Sequence, residues 1–338
     1  MRALAYLLWS QILLFGCIAS AHAAPPLFES DEILELELSG PLKATLRDRR
    51  KPRERPFTVA TTDGEWPVAV RTRGKSRTKL CSFPPLRLNF ETDAIIDGPF
   101  AGEDKVKLVT HCTDRVQGGD DLLEEFVAYR IFAFLSDYGH RVRLLRIAYV
   151  DTEKKRPEPQ VRYAFALEPI EQLAARTGAS PLQTEHLVKS RIDREQAALV
   201  FVFQYLIANL DWSLVKNRQD DACCHNVHLV QREGRDYLVP YDFDLSGLVI
   251  PDYARRAPNV AQRPSRRRSY QGYCMDGLQL DEAVAAVLSR REEVMTLVAG
   301  LPWTDAEEAA ERRAFFGKFF DEARAGDLGA RLAGDCIG

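Results

Sequence analysis

Residues 197–209 are apolar almost all round a helix, with Gln204 and the terminal Asn209 the main polar breaks. A helix without a wet face has to be enclosed, so this run marks the centre of a domain and requires other elements around it. Asp193-Arg194-Glu195-Gln196 precedes it as a capping box, an Asp followed three positions later by Gln. Its far end delivers Asn209-Leu210-Asp211-Trp212. Two short strands, 227–231 and 237–241, follow as a hairpin around Glu233-Gly234-Arg235, and the second delivers Pro240-Tyr241-Asp242-Phe243-Asp244.

The segments upstream are of another kind. Residues 33–38 alternate Ile-Leu-Glu-Leu-Glu-Leu, the period of a strand with one wet face. Further strands are expected at 57–60, 67–71, 86–90 and 106–110, together an antiparallel N-terminal sheet. A helix begins at Asp121, with Gly139 beyond its end. Two paired strands follow, 145–151 and 161–167, joined by the charged, proline-containing stretch 153–159. From residue 280 to about 332 the chain reads as helical and Ala-rich. Strands with one helix, then a mostly helical half carrying a hairpin, make an α+β, two-lobed architecture with a cleft between the lobes.

The 338 residues carry 46% hydrophobic and 28% charged residues, enough apolar material for a substantial core. A net charge of −3 argues against a nucleic-acid partner, which needs concentrated Lys and Arg. Arg2, the apolar run 3–18 and Ala21-His22-Ala23 read as an export signal over 1–23, leaving 24–338 as the mature domain. An uncleaved anchor is disfavoured because the run is short and interrupted by Ser10 and Gln11. Leu14-Phe15-Gly16-Cys17 offers a minor alternative, a lipoprotein anchored at Cys17. No later segment is long and apolar enough to cross a membrane. A periplasmic or secreted location follows, and with it disulfides among Cys81, Cys112, Cys223, Cys224, Cys274 and Cys336. Adjacent cysteines rarely pair with each other, so Cys223 and Cys224 are expected to reach elsewhere.

An Asp, then an Asn at the mouth of a short strand, then an Asp at the end of a second strand is the order found in kinase-type phosphoryl transfer. Here these are Asp211, Asn226 and Asp242. Asp242 and Asp244 alternate, so both face one way if the strand continues, and two such carboxylates repel unless a metal or a basic partner lies between them. Lys105 and Lys107 lie on one strand ahead of the helix carrying Glu124 and Glu125, and a strand Lys followed by a helix Glu is the kinase ion-pair arrangement. Lys107 is nearer the middle of the strand; the alternative is an exposed lysine. Arg73-Gly74-Lys75-Ser76-Arg77 reads either as a phosphate-approaching turn or as an ordinary basic hairpin turn. Cys223-Cys224-His225-x-x-His228 suggests zinc, but adjacent cysteines converge poorly on a tetrahedral ion. The arginines between 255 and 268 form a basic loop, solvated or suited to docking an acidic or phosphorylated partner.

From about Val68 to Val249 these places resemble the CotH-type spore-coat protein kinases, an atypical kinase-like family. The resemblance rests on Arg73-Gly74-Lys75-Ser76-Arg77, on the helix segment 124–130, on Asn209-Leu210-Asp211-Trp212 and, most specifically, on Pro240-Tyr241-Asp242-Phe243-Asp244-Leu245-Ser246. It implies a strand-rich N-lobe (about 30–168) and a mostly helical C-lobe (about 169–338). It implies that Asp211 orients or deprotonates an acceptor hydroxyl. Asn226 and Asp242, with Asp244 as a further ligand, would hold Mg2+ on the phosphates of ATP, while Lys107, Glu125 and Arg73 would serve the nucleotide. The expected activity is transfer of a γ-phosphoryl group to a protein Ser or Thr. The alternatives are an inactive exported binding or structural module with a protein partner, and a metal-dependent phosphohydrolase. The stretch 213–224 between Asp211 and Asn226 is longer than the corresponding loop of ordinary kinases, and no Gly-x-Gly-x-x-Gly is present.

Overall fold

The alternation at residues 33–38 produces strand β1 (Leu34–Gly40), with Leu34, Leu36 and Leu38 buried and Glu35 and Glu37 exposed. The fold is that of a computed structural model describing residues 26–91, 97–215, 223–256 and 263–337. The expected export signal and Cys17 lie outside the described residues, as do 216–222 of the stretch before Asn226 and 257–262 of the basic loop.

Six more strands follow: β2 (Arg55–Thr61), β3 (Gly64–Thr72), β4 (Leu86–Asn89), β5 (Lys105–Thr110), β6 (Val142–Asp151) and β7 (Gln160–Leu167). The expected antiparallel sheet instead closes into a barrel in the order β1-β2-β3-β4-β5-β7-β6. All its pairs are antiparallel except the closing one, in which β1 runs parallel to β6 from Leu34–Leu145 to Gly40–Asp151. Alternation states which face of a strand is buried but not which strand lies beside it, so the closure was not legible. Leu36, Leu38, Val59, Val68, Leu88, Val106 and Ile147 belong to one apolar cluster, built from these strands.

The helices are α1 (Leu42–Arg47), α2 (Arg77–Leu80), α3 (Val116–Leu135), α4 (Ile170–Arg176), α5 (Arg194–Leu206), α6 (Leu280–Ser289), α7 (Arg291–Gly300), α8 (Ala306–Arg324) and α9 (Leu328–Gly334). A small antiparallel sheet, β8 (Ser180–Leu182), β9 (Val227–Arg232) and β10 (Arg235–Pro240), has the order β10-β9-β8. Its β9–β10 hairpin is the expected one, turning at Glu233 and Gly234. No described helix is long and apolar enough to cross a membrane.

The apolar run forms α5 as expected. Asp193 caps it, accepting from Gln196 N–H at 3.1 Å, and Phe203 packs between Phe132 of α3 and Phe243. The helix stops at Leu206, ahead of the apolar run's end, because Ala208 takes a left-handed conformation at φ 51°. α3 begins earlier than Asp121. Two glycines in its first turns weaken the helical signal there, yet a Cβ on Gly118 would sit 2.4 Å from the His111 carbonyl oxygen, so this close approach needs glycine.

Three disulfides join Cys81 to Cys112, Cys274 to Cys336, and Cys223 to Cys224. The last corrects the expectation that the adjacent pair reaches elsewhere. A bridge at Phe83–Cys112 and another at Tyr273–Ile337 bring the other four cysteines together in pairs, leaving Cys223 and Cys224 to each other.

α3 buries acidic side chains as well as apolar ones. Glu124 meets Arg312 of α8, which also joins Glu308 at 2.5 Å. Asp121 is pushed up to about 8, by burial first and then by the neighbouring Asp252 charge. A carboxyl that binds its proton more tightly folded than unfolded stabilises the fold below its unfolded pKa, and that contribution is lost as pH rises towards the folded value. Asp121→Asn is therefore expected to flatten a decline in stability between about pH 4 and pH 8, measured as the urea midpoint across that range.

Candidate active site

α3 presents Glu125 and Tyr129 four residues apart, hence on one face. Tyr129 reaches the segment after β10 directly, and Glu125 is joined to it through Arg77. Strand geometry ends at Pro240, and Asp242 adopts a left-handed conformation at φ 60°. Its backbone N–H donates to Tyr129 Oη at 2.9 Å. The strand does not continue through Asp242 and Asp244 as their alternation suggested. The two carboxylates converge all the same, on a side chain from elsewhere.

That side chain is Arg77. It opens α2, in the connection between β3 and β4, and its guanidinium is only 10% exposed. Nη1 and Nη2 donate to the Glu125 carboxylate at 3.1 and 3.4 Å, Nη2 also to Asp242 Oδ1 at 2.5 Å, and Nε lies 3.3 Å from Asp244 Oδ2. Tyr253 Oη donates to that same Asp244 oxygen at 2.5 Å. Burial alone would loosen the Arg77 proton, but Asp244, Glu125 and Asp242 outweigh it and hold the group charged. Burial pushes Asp244 and Glu125 up, and Arg77 pulls both back. The position of α2 is fixed locally: Thr78 Oγ1 donates to the Gly74 carbonyl at 2.8 Å, and the Cys81–Cys112 disulfide follows directly and packs with Tyr253.

Asp211 and Asn226 also meet, despite the long stretch between them. Asn226 Nδ2 donates to the Asp211 backbone oxygen at 2.7 Å and to Oδ2 at 3.1 Å, while His225 Nε2 lies 3.1 Å from Oδ1. Tyr241 N–H donates to the Asn226 carbonyl at 3.0 Å, which ties this group to the Asp242 segment.

Lys107 is not joined to its expected partner Glu125. The kinase-type Lys–Glu pair is not formed, since Glu125 is held by Arg77. Lys105, the alternative on the same strand, is exposed and pairs with Asp104 at 2.6 Å. Lys107 is half-buried; burial lowers its pKa, Arg73 lowers it further, and Glu171 and Asp242 oppose. Burial and then Arg77 lower that of Arg73, with Asp242 again opposing. Among the described residues neither cation has a carboxylate within ion-pair distance. Close by, His228 stacks on Tyr241 with ring centroids 3.9 Å apart and is lowered to about 4 by burial and by Lys107, so it is neutral at pH 7.

Two of the residues expected to hold Mg2+ are engaged otherwise in this arrangement, since Asp242 and Asp244 both meet a guanidinium. The members of the zinc-like cluster have other partners: Cys223 and Cys224 pair, His225 lies against Asp211, and His228 stacks on Tyr241. Sequence reasoning missed Arg77, Tyr129, His225 and Tyr253. The requirement for a cation between the two aspartates was legible; which of the many arginines supplies it was not.

Among solved structures, the chain is similar to the proinflammatory kinase CtkA of Helicobacter pylori, at 10% sequence identity and a TM-score of 0.37, over 78% of this chain and 94% of that one. No protein-family model matches the chain, and no curated protein matches it. What this chain does has to be read from its own side chains.

The Tyr253–Asp244 bond completes the cage round Arg77. Tyr253→Phe leaves a buried carboxylate one donor short and is expected to cost about 1–3 kcal/mol, measured by thermal or urea unfolding.

Proposed function

We propose that the chain is an exported kinase-like protein that binds the phosphates of ATP at Lys107 and Arg73 and presents the γ-phosphoryl group to a protein Ser or Thr hydroxyl at Asp211. In this reading the barrel belongs to the N-lobe and α5 with the later helices to the C-lobe. The observation that carries it is the pair of half-buried cations with no carboxylate at ion-pair distance among the described residues. Burying like charges side by side is costly unless an anion joins them, and a polyphosphate offers that charge.

The chain's own groups then have defined work. Lys107 and Arg73 neutralise phosphate oxygens. Asp211, fixed by Asn226 and His225, orients the acceptor hydroxyl and takes its proton. The acceptor oxygen forms the new P–O bond as the bridging β–γ bond breaks and ADP leaves. The three disulfides suit an oxidising compartment, which supports export. A cavity of about 1130 Å3 beside Tyr253 suits an acidic segment of the acceptor, being lined by Arg115, Arg255, Arg256 and Arg263 against Asp114 and Asp252.

A second reading is a nucleotide-binding module without transfer, acting on an exported partner. It is favoured by one observation: Arg77 engages Glu125, Asp242 and Asp244 together, where catalysis in metal-dependent kinases needs the first free for Lys and the second for metal.

A non-hydrolysable ATP analogue is expected to raise the melting temperature of the mature protein, and Lys107→Ala or Arg73→Ala to weaken its binding by about tenfold or more, 1.4 kcal/mol. The absence of any shift in the wild-type protein would remove both readings. Label passing from γ-labelled ATP to protein, abolished in Asp211→Asn with analogue binding retained, identifies transfer. Binding without label in protein identifies the second reading.

A further inference from the structure

We propose that Arg77 is a tethered counter-cation standing where metal-dependent phosphoryl transferases place a divalent ion, so that this site takes its nucleotide without requiring metal. The proposal deepens the nucleotide reading above and rests on it for the ligand, although the claim about metal is separately testable.

Three features of the site support it. First, one oxygen of each aspartate is already engaged. Asp242 Oδ1 and Asp244 Oδ2 both face Arg77, and Asp244 also accepts from Tyr253. A magnesium ion demands near-ideal octahedral oxygen ligation and gives up its waters reluctantly, so it competes poorly for oxygens already in short charge-assisted bonds.

Second, Arg77 has nowhere cheaper to go. Evicting it would strand Glu125, only 3% exposed, without the guanidinium that satisfies both of its oxygens. The ion that replaced Arg77 would have to serve Glu125 as well.

Third, the place beside the carboxylates is already rich in cations. Glu125, Asp242 and Asp244 are met by Arg77, with Arg73 and Lys107 beside them. Arg77 absorbs the carboxylates, and this is what leaves the other two cations available to an anion. A divalent ion on Asp242 would place further positive charge against three cations already near one another. An Arg, unlike a Lys, has the planar fork of donors needed to serve three carboxylates together.

The test uses the mature wild-type protein and two titrations. In the first, Mn2+ alone is titrated and followed by its electron paramagnetic resonance signal; the expected result is no site tighter than about 1 mM. In the second, a non-hydrolysable ATP analogue is titrated by calorimetry with excess EDTA and again with Mg2+, and the two affinities are expected to agree within about threefold. Sub-millimolar Mn2+ binding by the wild-type protein, or a loss of nucleotide affinity of about tenfold or more in EDTA, overturns the proposal. If nucleotide binds under neither condition, the nucleotide reading fails while the Mn2+ titration still decides whether Arg77 excludes metal. Arg77→Gln adds a gain-of-binding arm: it is expected to tighten Mn2+ binding by about tenfold or more, and the double variant with Asp242→Asn to reverse the gain. Should Arg77→Gln fail to fold, the two wild-type titrations decide alone.

Discussion

One buried guanidinium holds three carboxylates that arrive from two distant parts of the chain. Arg77 comes from the connection between β3 and β4, Glu125 from α3, and Asp242 and Asp244 from the segment after β10. Without a cation at that point the three acids would repel one another at low dielectric, and α3 could not pack against the Asp242 segment. Removing one member of such a buried group costs about 3–5 kcal/mol, chiefly because the others are left charged and unpaired. The interaction therefore joins barrel, helix and hairpin at one place, and the remaining parts of the site are arranged around it.

Its consequence for function runs through what Arg77 takes away. Glu125 is held away from Lys107, and among the described residues Lys107 and Arg73 are half-buried cations with no carboxylate at ion-pair distance. Asp242 and Asp244 each spend an oxygen on the same guanidinium. Asp211 stands apart from this exchange, held by Asn226 and His225 with limited exposure. In the proposed reading, nucleotide binding and hydroxyl orientation fall to separate groups of side chains, so the first can exist without the second. This separation is why binding without transfer stands as a distinct reading.

Much of this was legible in the sequence where a local rule decides the outcome. The all-apolar run made α5, and the Asp193–Gln196 box capped it. Glu233-Gly234-Arg235 turned the hairpin, and Asp211 met Asn226. Partners across long separations were not legible. The β1–β6 closure depends on which strand edges meet, which alternation does not encode. Cys223 and Cys224 pair because bridges elsewhere bring the other cysteines together. Glu124 and Glu125 are adjacent in sequence yet serve different arginines, Arg312 and Arg77, since neighbours on a helix point about a quarter-turn apart. Asp242 and Asp244 were recognised as needing a cation, but Arg77 lies 165 residues before Asp242 and is one of several arginines in a basic run.

Whether one guanidinium underlies this arrangement is tested most directly by the urea unfolding of Arg77→Lys beside the wild-type protein. Lysine keeps the charge but is a point donor that cannot span Glu125, Asp242 and Asp244. The predicted result is a loss of about 3–5 kcal/mol, the size expected when a buried ion-pair group is broken. A loss below about 1 kcal/mol, the size of an ordinary exposed salt bridge, would contradict the central role given to Arg77.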